Sequence, residues 1–308
     1  LDVKEIAENC IKRWGEDSNT ENLEEKILTW LTPVSGNREL VLTYLELLSY
    51  FDYYTNEKIN KALHGLYDKL KEESDNKISG ILYHYIEENN GRLNSSLQLL
   101  MTFKIQNRIS KNNIITNFDR VEGKWGNIKY IAIIEDIIGT GKTIIDKFLK
   151  KNLERFKEKT IFILCIAIMR EAKIKIETFS ISNNLNVKIL SYKEYNKAFE
   201  ENYIFHNDNA EKREIVKENE ILIWGRQNEY ILGFKETESL ISFFHNTPNN
   251  TLSSFWKEKE KWQPLFIREQ DDIADWEKKP PIDLMKKNRD GKENIKYNLG
   301  KILKENPN

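Results

Sequence analysis

Sulfur and imidazole are scarce in this chain. Two cysteines, Cys10 and Cys165, among 308 residues are too few for a disulfide framework or a cysteine-based zinc site. Cys165 sits inside the apolar run 161–169, where a buried free thiol is the usual state, and so few cysteines fit a reducing, intracellular compartment. Of the 4 histidines, His64 has no metal-spaced partner and His84 reads as a satisfied structural residue. An excess of either charge is missing too: 48 Lys and Arg stand against 49 Asp and Glu, a formal net charge of −1. That balance excludes a general electrostatic pull towards nucleic acid, though not a local basic patch. No run approaches the about 18 apolar residues of a membrane span, and no signal-peptide pattern stands at Leu1, so a cytoplasmic protein is expected.

What is present is enough chain for one large or two modest domains with a real core, organised around one stretch. Residues 130–143 read Tyr-Ile-Ala-Ile-Ile-Glu-Asp-Ile-Ile-Gly-Thr-Gly-Lys-Thr. Residues 131–134, apolar and mostly β-branched, predict a strand buried on both faces, as in parallel sheets. Beyond the loop, Ile144, Ile145, Phe148 and Leu149 fall on one face of a helix predicted from 143 to 151. Gly139, Thr140, Gly141, Lys142 and Thr143 thus span a strand-to-helix turn, whose outward N–H groups and helix dipole suit a phosphate. Glu135 and Asp136 add two adjacent carboxylates at the carboxyl end of the strand, able to accept hydrogen bonds from a pair of ribose hydroxyls. A Walker A loop is the first rival, and it needs G-x-x-x-x-G-K-[ST]. Gly141-Lys142-Thr143 supplies the end of that motif, but Asp136 occupies the position of its first glycine, and a carboxylate there repels a triphosphate. A plainer rival keeps the strand, lets its acids cap the next helix and makes the glycine pair a simple turn.

At these residues the chain resembles the phosphoribosyl pyrophosphate (PRPP) signature of type I phosphoribosyltransferases: four apolar residues, two acids, two variable residues, then a Thr/Gly-rich phosphate loop. The resemblance implies that Glu135 and Asp136 hold the ribose 2′ and 3′ hydroxyls and take part in catalysis, while the loop from Gly139 to Thr143 grips the 5′-phosphate. It implies Mg2+ as cofactor, with Asp136 as the expected protein ligand, because hard oxygen donors suit that ion. In the same family the loop after the first strand holds the pyrophosphate, which makes Asn94, Ser95 and Ser96 candidates. The competing reading is an ordinary helix start, with Ser95 as N-cap before Leu97, Leu100, Met101, Phe103 and Ile105. Lys104 and Arg108, on the helix predicted there, either meet pyrophosphate or simply face solvent.

The remaining pattern predicts an α/β fold, a mostly parallel sheet flanked by helices, with an N-terminal helical layer. Residues 2–75 carry apolar side chains at three- and four-residue intervals. At that spacing the aromatics Tyr44, Tyr50, Phe51, Tyr53 and Tyr54 read as core more readily than as a base-stacking platform. Strands are predicted at 78–86, 114–118, 128–134, 161–169 and 187–190, with a helix at 171–180; this order favours right-handed crossovers. Residues 192–220 read as a helical insertion or cover, and a further strand pair is predicted at 221–224 and 229–234 around a hairpin-like interval. The expected domains are an N-terminal helical region, 1–76, an α/β domain, 77–256, and a polar tail, 257–308, anchored by aromatics such as Trp262 and Trp276.

Residues 239–252, Ser-Leu-Ile-Ser-Phe-Phe-His-Asn-Thr-Pro-Asn-Asn-Thr-Leu, predict a strand running into a loop rich in donors and acceptors, fixed locally by Pro248. With the acid-pair loop and Trp256, this motif is similar to the phosphoribosyltransferase-like family of bacterial conflict systems, some of whose members are retron-associated anti-phage effectors. The likeness spans residues 78–268. It implies a PRPP-binding transferase acting on a nucleotide, base or other acceptor, partnered by a reverse transcriptase and non-coding nucleic acid complex and not by a membrane. The alternative is a module that senses PRPP or a nucleotide, or binds a partner, without turnover. As a parallel neighbour of the acid-bearing strand, residues 240–244 are expected to bring His245 to the site, where an imidazole suits proton transfer with the acceptor. The competing reading has His245 and the asparagines hydrogen-bonding loop backbone.

Overall fold

The computed structural model describes residues 2–86, 95–226, 228–259 and 262–268. In chain order its elements begin with α1 (Val3–Trp14), α2 (Leu23–Leu31), α3 (Arg38–Tyr50), β1 (Asp52–Tyr54), α4 (Asn56–Glu73), β2 (Ile81–His84) and α5 (Ser95–Gln106). There follow β3 (Tyr130–Ile138), α6 (Leu153–Phe156), β4 (Thr160–Met169), α7 (Arg170–Ser182), β5 (Asn186–Tyr195), α8 (Asn209–Trp224) and β6 (Ile241–Phe243). Parallel sheets flanked by helices make this the α/β protein that the sequence predicts. No helix among the described residues is long and apolar enough to cross a membrane. The described residues fall into two compact units, one drawn from Leu1–Asn56 and Lys197–Asn308, the other from Glu57–Asn196. These limits differ from the division at 76 and 256 expected from sequence.

The second unit is a four-stranded parallel sheet in the order β2-β3-β4-β5. In β4 every residue after Thr160 is buried, as a continuous apolar run requires of a central parallel strand. Partnered residues of parallel strands project to the same face, and successive residues alternate. Tyr83 pairs with Ala132 and His84 with Ile133. The Tyr83 ring meets Phe103 of α5 at 6.0 Å, and Phe103 meets Tyr67 of α4 at 5.9 Å, so α4 and α5 cover one face. His84 meets Phe118 at 4.6 Å and Phe148 at 6.2 Å, so the segments before and after β3 cover the other.

This two-sided cover fixes the path of the chain. After α5 it runs along the edge of β2 that faces away from β3, where Ile114 forms a parallel bridge with Tyr83 and the Ile115 N–H donates to the Tyr83 carbonyl at 2.9 Å. The strand predicted at 114–118 is reduced to that one bridge. His84 Nδ1 bonds the Ile115 carbonyl at 2.9 Å, the structural role read from sequence. The chain then crosses the opposite face through the 3-10 segment Phe118–Asn127 and enters β3. Connections leaving β2 and β3 therefore depart over opposite faces, which makes the carboxyl ends of these two strands the topological switch point of the sheet.

In the first unit, aromatic residues from both ends of the chain make one core, and this is why its limits are invisible to a linear reading. Phe51 stacks on Phe255 at 4.7 Å and on Phe266 at 4.8 Å, and Trp30 meets Phe255 at 4.7 Å. The indole N–H groups of Trp30 and Trp262 both donate to the Ser254 carbonyl, each at 2.8 Å. Beside them lies the carboxyl group of Glu220, which is fully buried. Its oxygens accept the N–H of Ser254, at 2.8 Å, and that of Leu232. The strand pair predicted at 221–224 and 229–234 is not formed. Ile223 is buried while Leu222 is 79% exposed, as the last turn of α8 requires, and so short an apolar run fits helix and strand equally. Residues 229–234 wind through turns, with φ of 58° at Leu232 and 76° at Gly233. A Cβ on Gly233 would lie 2.2 Å from the Asn250 carbonyl oxygen. Trp276 lies outside the described residues.

Glu220 ties α8 to two loops, and burial holds its carboxyl above the usual carboxylate range against the pull of its N–H donors. A raised folded pKa favours the neutral acid, so the stability that it contributes is complete below the unfolded value of about 4.3 and is lost as pH rises through the folded value. Glu220→Gln, neutral throughout, lacks that dependence. The margin in Tm by which the native chain exceeds this variant is expected to widen from pH 8 to pH 5 in thermal melts; a margin independent of pH contradicts the assignment.

Candidate functional site

Main-chain pairing between β2 and β3 stops at His84 and Ile133. β3 continues through Ile134, Glu135, Asp136, Ile137 and Ile138, supported on its other side by β4 as far as the pair Ile138 and Ile168. Along this overhang of about 16 Å, at the switch point, no strand among the described residues pairs with the flank of β3 that faces β2. Ser96 spans the first step of the gap. Its Oγ donates to the Ile134 carbonyl at 2.9 Å and accepts the Ile86 N–H at 3.3 Å.

Glu135 and Asp136 follow, both half-buried. Sequence reading puts them at the very end of the strand, but β3 runs on to Ile138, and alternation along it sends the two carboxylates to opposite faces. Glu135 pairs with Cys165 on the face of Phe148, whereas Asp136 lies on the face of α5. Asp136 Oδ1 accepts the Ile137 N–H at 2.7 Å. Burial pushes the Cys165 thiol far up, and the charge of Glu135 pushes it further. Cys165 is thus a neutral core residue under the acid and no nucleophile.

The loop that follows is built against α7. Gly141 has φ of 74°, and a Cβ there would lie 3.1 Å from the Ala172 carbonyl oxygen and 3.3 Å from Ile176 Cγ1. Thr140 Oγ1 accepts the Lys142 N–H at 3.3 Å. The Ile145 N–H bonds the Gly141 carbonyl at 3.0 Å, so the amides of Thr143 and Ile144 precede the helical ladder and point out of its start. Lys142 and Thr143 are exposed, while Gly139 and Thr140 are half-buried. The predicted α-helix at 143–151 is wound differently. Ile144–Leu149 is a π-helix, with the Lys150 N–H on the Ile145 carbonyl, a wide turn that is rare and concentrated at functional sites. Ile144, Phe148 and Leu149 are buried as expected.

Other candidates fare unequally. Ser95, half-buried, is the first residue of α5 and so stands at the same end of the sheet as the overhang. Asn94 lies outside the described residues. Lys104 is nine residues further along α5, about 14 Å down its axis, near the end where Gln106 bonds Asn60 of α4. Lys104 and Arg108 are therefore at the wrong end of the helix to meet a group held by Ser95.

His245 follows β6, and β6 pairs with β1 in a separate two-stranded sheet. The premise that residues 240–244 neighbour the acid-bearing strand is thereby corrected, and His245 belongs to the first unit whereas the acids belong to the second. His245 is exposed and stacks on Phe243 at 5.6 Å. The residues after it form a hydrogen-bonded frame. Thr247 Oγ1 donates to the Ile267 carbonyl at 3.0 Å and shares a bond with Ser242 Oγ at 2.8 Å. Thr251 Oγ1 donates to the Ile241 carbonyl, and Asn250 Nδ2 to Thr237 Oγ1 at 3.2 Å. Arg268 Nη1 reaches the Thr247 carbonyl at 2.6 Å. Thr247 and Thr251 thus bond main-chain carbonyls of neighbouring segments, and Asn250 a threonine hydroxyl.

Sequence reasoning missed the bridging hydroxyl of Ser96 and the pressure of α7 on Gly141. The only trace of the second is Ala172, a small residue at the point of closest approach, and single-chain periodicity does not reveal which helix a loop meets. A parallel sheet whose acid-bearing strand overhangs the switch point and turns into a Thr/Gly loop defines a phosphoribosyltransferase-like protein. The PRTase-CE family model matches residues 27–268, and the chain belongs to that family. Comparison with curated proteins and with solved structures returns no match.

The fit of Gly141 against α7 is open to direct measurement. Gly141→Ala combines an unfavourable φ with a close contact and is expected to lower stability in urea unfolding by about 1–3 kcal/mol. Gly80→Ala, where nothing lies within 4 Å of the new Cβ, is expected to stay within about 0.5 kcal/mol. Equal stability of the two variants contradicts the packing described.

Proposed function

We propose that the second unit binds PRPP at the carboxyl ends of β2 and β3 and transfers its phosphoribosyl group to an acceptor or to water. One observation carries this reading: the overhanging end of β3 supplies two carboxylates and then turns directly into a loop with outward amides. A ribose 5-phosphate presents hydroxyls and phosphate in the matching order. In the proposed complex Asp136 and Glu135 flank the sugar from the two faces of the sheet and accept hydrogen bonds from its hydroxyls. Gly139, Thr140, Gly141, Lys142 and Thr143 hold the 5′-phosphate, and Ser95 is assigned to the pyrophosphate side.

Among the described residues no three His, Cys, Asp or Glu side chains gather as a metal cage. The carboxylates of Glu135 and Asp136 are oxygen donors of the kind that Mg2+ takes, one or two at a time, with water and phosphate oxygens of the substrate completing its shell; Asp136 is the proposed ligand. When bound, the ion neutralises charge on the departing diphosphate. The C1′–O bond to pyrophosphate breaks with its electron pair on oxygen, a lone pair of the acceptor makes the new bond to C1′, and the acceptor's proton passes to solvent. Positive charge develops on the ribose, so the carboxylates at Glu135 and Asp136 act by electrostatics and positioning, with no protein nucleophile. His245 has no role in this scheme, because the strand argument that introduced it does not hold. The likeness to conflict-system proteins extends the proposal to an anti-phage effector that acts beside a reverse transcriptase and its non-coding nucleic acid.

Calorimetry is expected to show Mg-PRPP or a nucleoside 5′-monophosphate bound more tightly than Mg-ATP; the reverse order returns the loop to the Walker class. In a pyrophosphate-release assay Asp136→Asn keeps the fold but lowers turnover about ten- to a hundredfold, since a hydrogen bond to a charged group is worth roughly 1.5–3 kcal/mol. PRPP binding without release of pyrophosphate supports a sensor instead. Loss of phage protection in cells carrying Asp136→Asn is the result expected of the effector role.

A further inference from the structure

We infer that Ser96 is a positioning residue, one hydroxyl that stands in for the missing rung between β2 and β3 and sets the acid-bearing overhang against the head of α5. The inference rests on the PRPP site proposed above and reverses the role that the family resemblance gives this serine. The ladder between the two strands ends at His84 and Ile133, so the next carbonyl of β3 on that flank, that of Ile134, lies beyond the strand pairing of the described residues. It is buried, and a buried carbonyl without a partner is costly. Ser96 Oγ donates its proton to that carbonyl at 2.9 Å and accepts the Ile86 N–H at 3.3 Å. Ile134 is 1% exposed, Ser96 3% and Ile86 5%. The hydroxyl proton is thereby committed to β3 and a lone pair to the extension of β2, inside a dry contact.

Geometry gives the bond its functional weight. The Ile134 carbonyl belongs to the peptide plane that leads into Glu135, and Asp136 is the next residue. Ser96 is also the neighbour of Ser95 in the first turn of α5. One side chain therefore fixes the spacing between the carboxylates proposed for the ribose and the serine proposed for pyrophosphate. A serine that bonds pyrophosphate directly would have to release both partners and leave its burial.

The two roles separate when the halves of the substrate are measured apart. Full-length Ser96→Ala, and Ser96→Cys as a nearly isosteric second variant should the alanine chain not fold, are titrated with ribose 5-phosphate and with pyrophosphate in Mg2+ by calorimetry. Positioning predicts that ribose 5-phosphate binding weakens about tenfold while pyrophosphate binding stays within about twofold. Weakening confined to pyrophosphate identifies a direct ligand and overturns the inference. Unchanged affinity for both, with a lowered Tm, identifies a purely structural bridge and overturns it as well. A native chain that binds neither half nor PRPP removes the proposed site, and the inference with it; a native chain that binds both leaves the site standing whichever way Ser96 falls.

Discussion

The unequal length of two neighbouring strands governs the architecture of the second unit. β2 pairs with β3 over four residues, Ile81 to His84, whereas β3 runs from Tyr130 to Ile138 and stays paired with β4 almost throughout. β4, which supports the overhang, is itself buried and paired with β5. The unequal length also leaves the Ile134 carbonyl beyond the β2 ladder, and a buried group of this kind must find a partner, which is Ser96. Glu135 and Asp136 follow it on β3. The connections of β2 and β3 leave over opposite faces, which puts the two acids at the switch point of the sheet. The acids and the loop that follows them thus share one origin in the sheet.

The first unit shows the contrary use of polar residues. Its donor-rich loop after β6, with Thr247, Asn250 and Thr251, is turned inward onto carbonyls and hydroxyls of adjacent segments, and Glu220 carries two main-chain N–H groups inside a core of aliphatic and aromatic side chains. Buried polar networks of this sort fix one arrangement of loops, since each member leaves a costly orphan when displaced. A motif dense in hydrogen-bonding residues is therefore no measure of chemistry by itself. The order of acids and loop amides along β3 is the more specific signal, because the proposed ribose 5-phosphate presents hydroxyls and phosphate in that order.

Legibility in the sequence followed the range of the interactions involved. β3, β4 and α7 were readable because unbroken apolar runs and a local helical period encode them, and the strand-to-loop passage at 139–143 was readable because a single segment contains it. The buried state of Tyr44, Phe51, Tyr53 and Tyr54 followed from spacing, and Tyr50 alone of that group is exposed, at 43%. β1 escaped notice: three residues between helices carry no periodicity, and their partner, β6, is far away in sequence. For the same reason the sequence placed residues 240–244 in the wrong sheet. The end of α8 was misread as a strand because four apolar residues suit either period. The opposite-face placement of Glu135 and Asp136 was hidden by an error of four residues in where β3 stops, at Ile138 and not at 134, which is small for a boundary and large for the geometry of adjacent side chains.

The central claim is that the overhang of β3 and the loop after it form the PRPP site. Amide-resolved NMR of the isotopically labelled chain, titrated with ribose 5-phosphate, tests it most directly. The account predicts saturable shifts centred on the amides of Glu135, Asp136, Ile137, Thr140, Gly141, Thr143 and Ile144. Shifts confined to residues of the first unit, or none on titration with PRPP itself, contradict it.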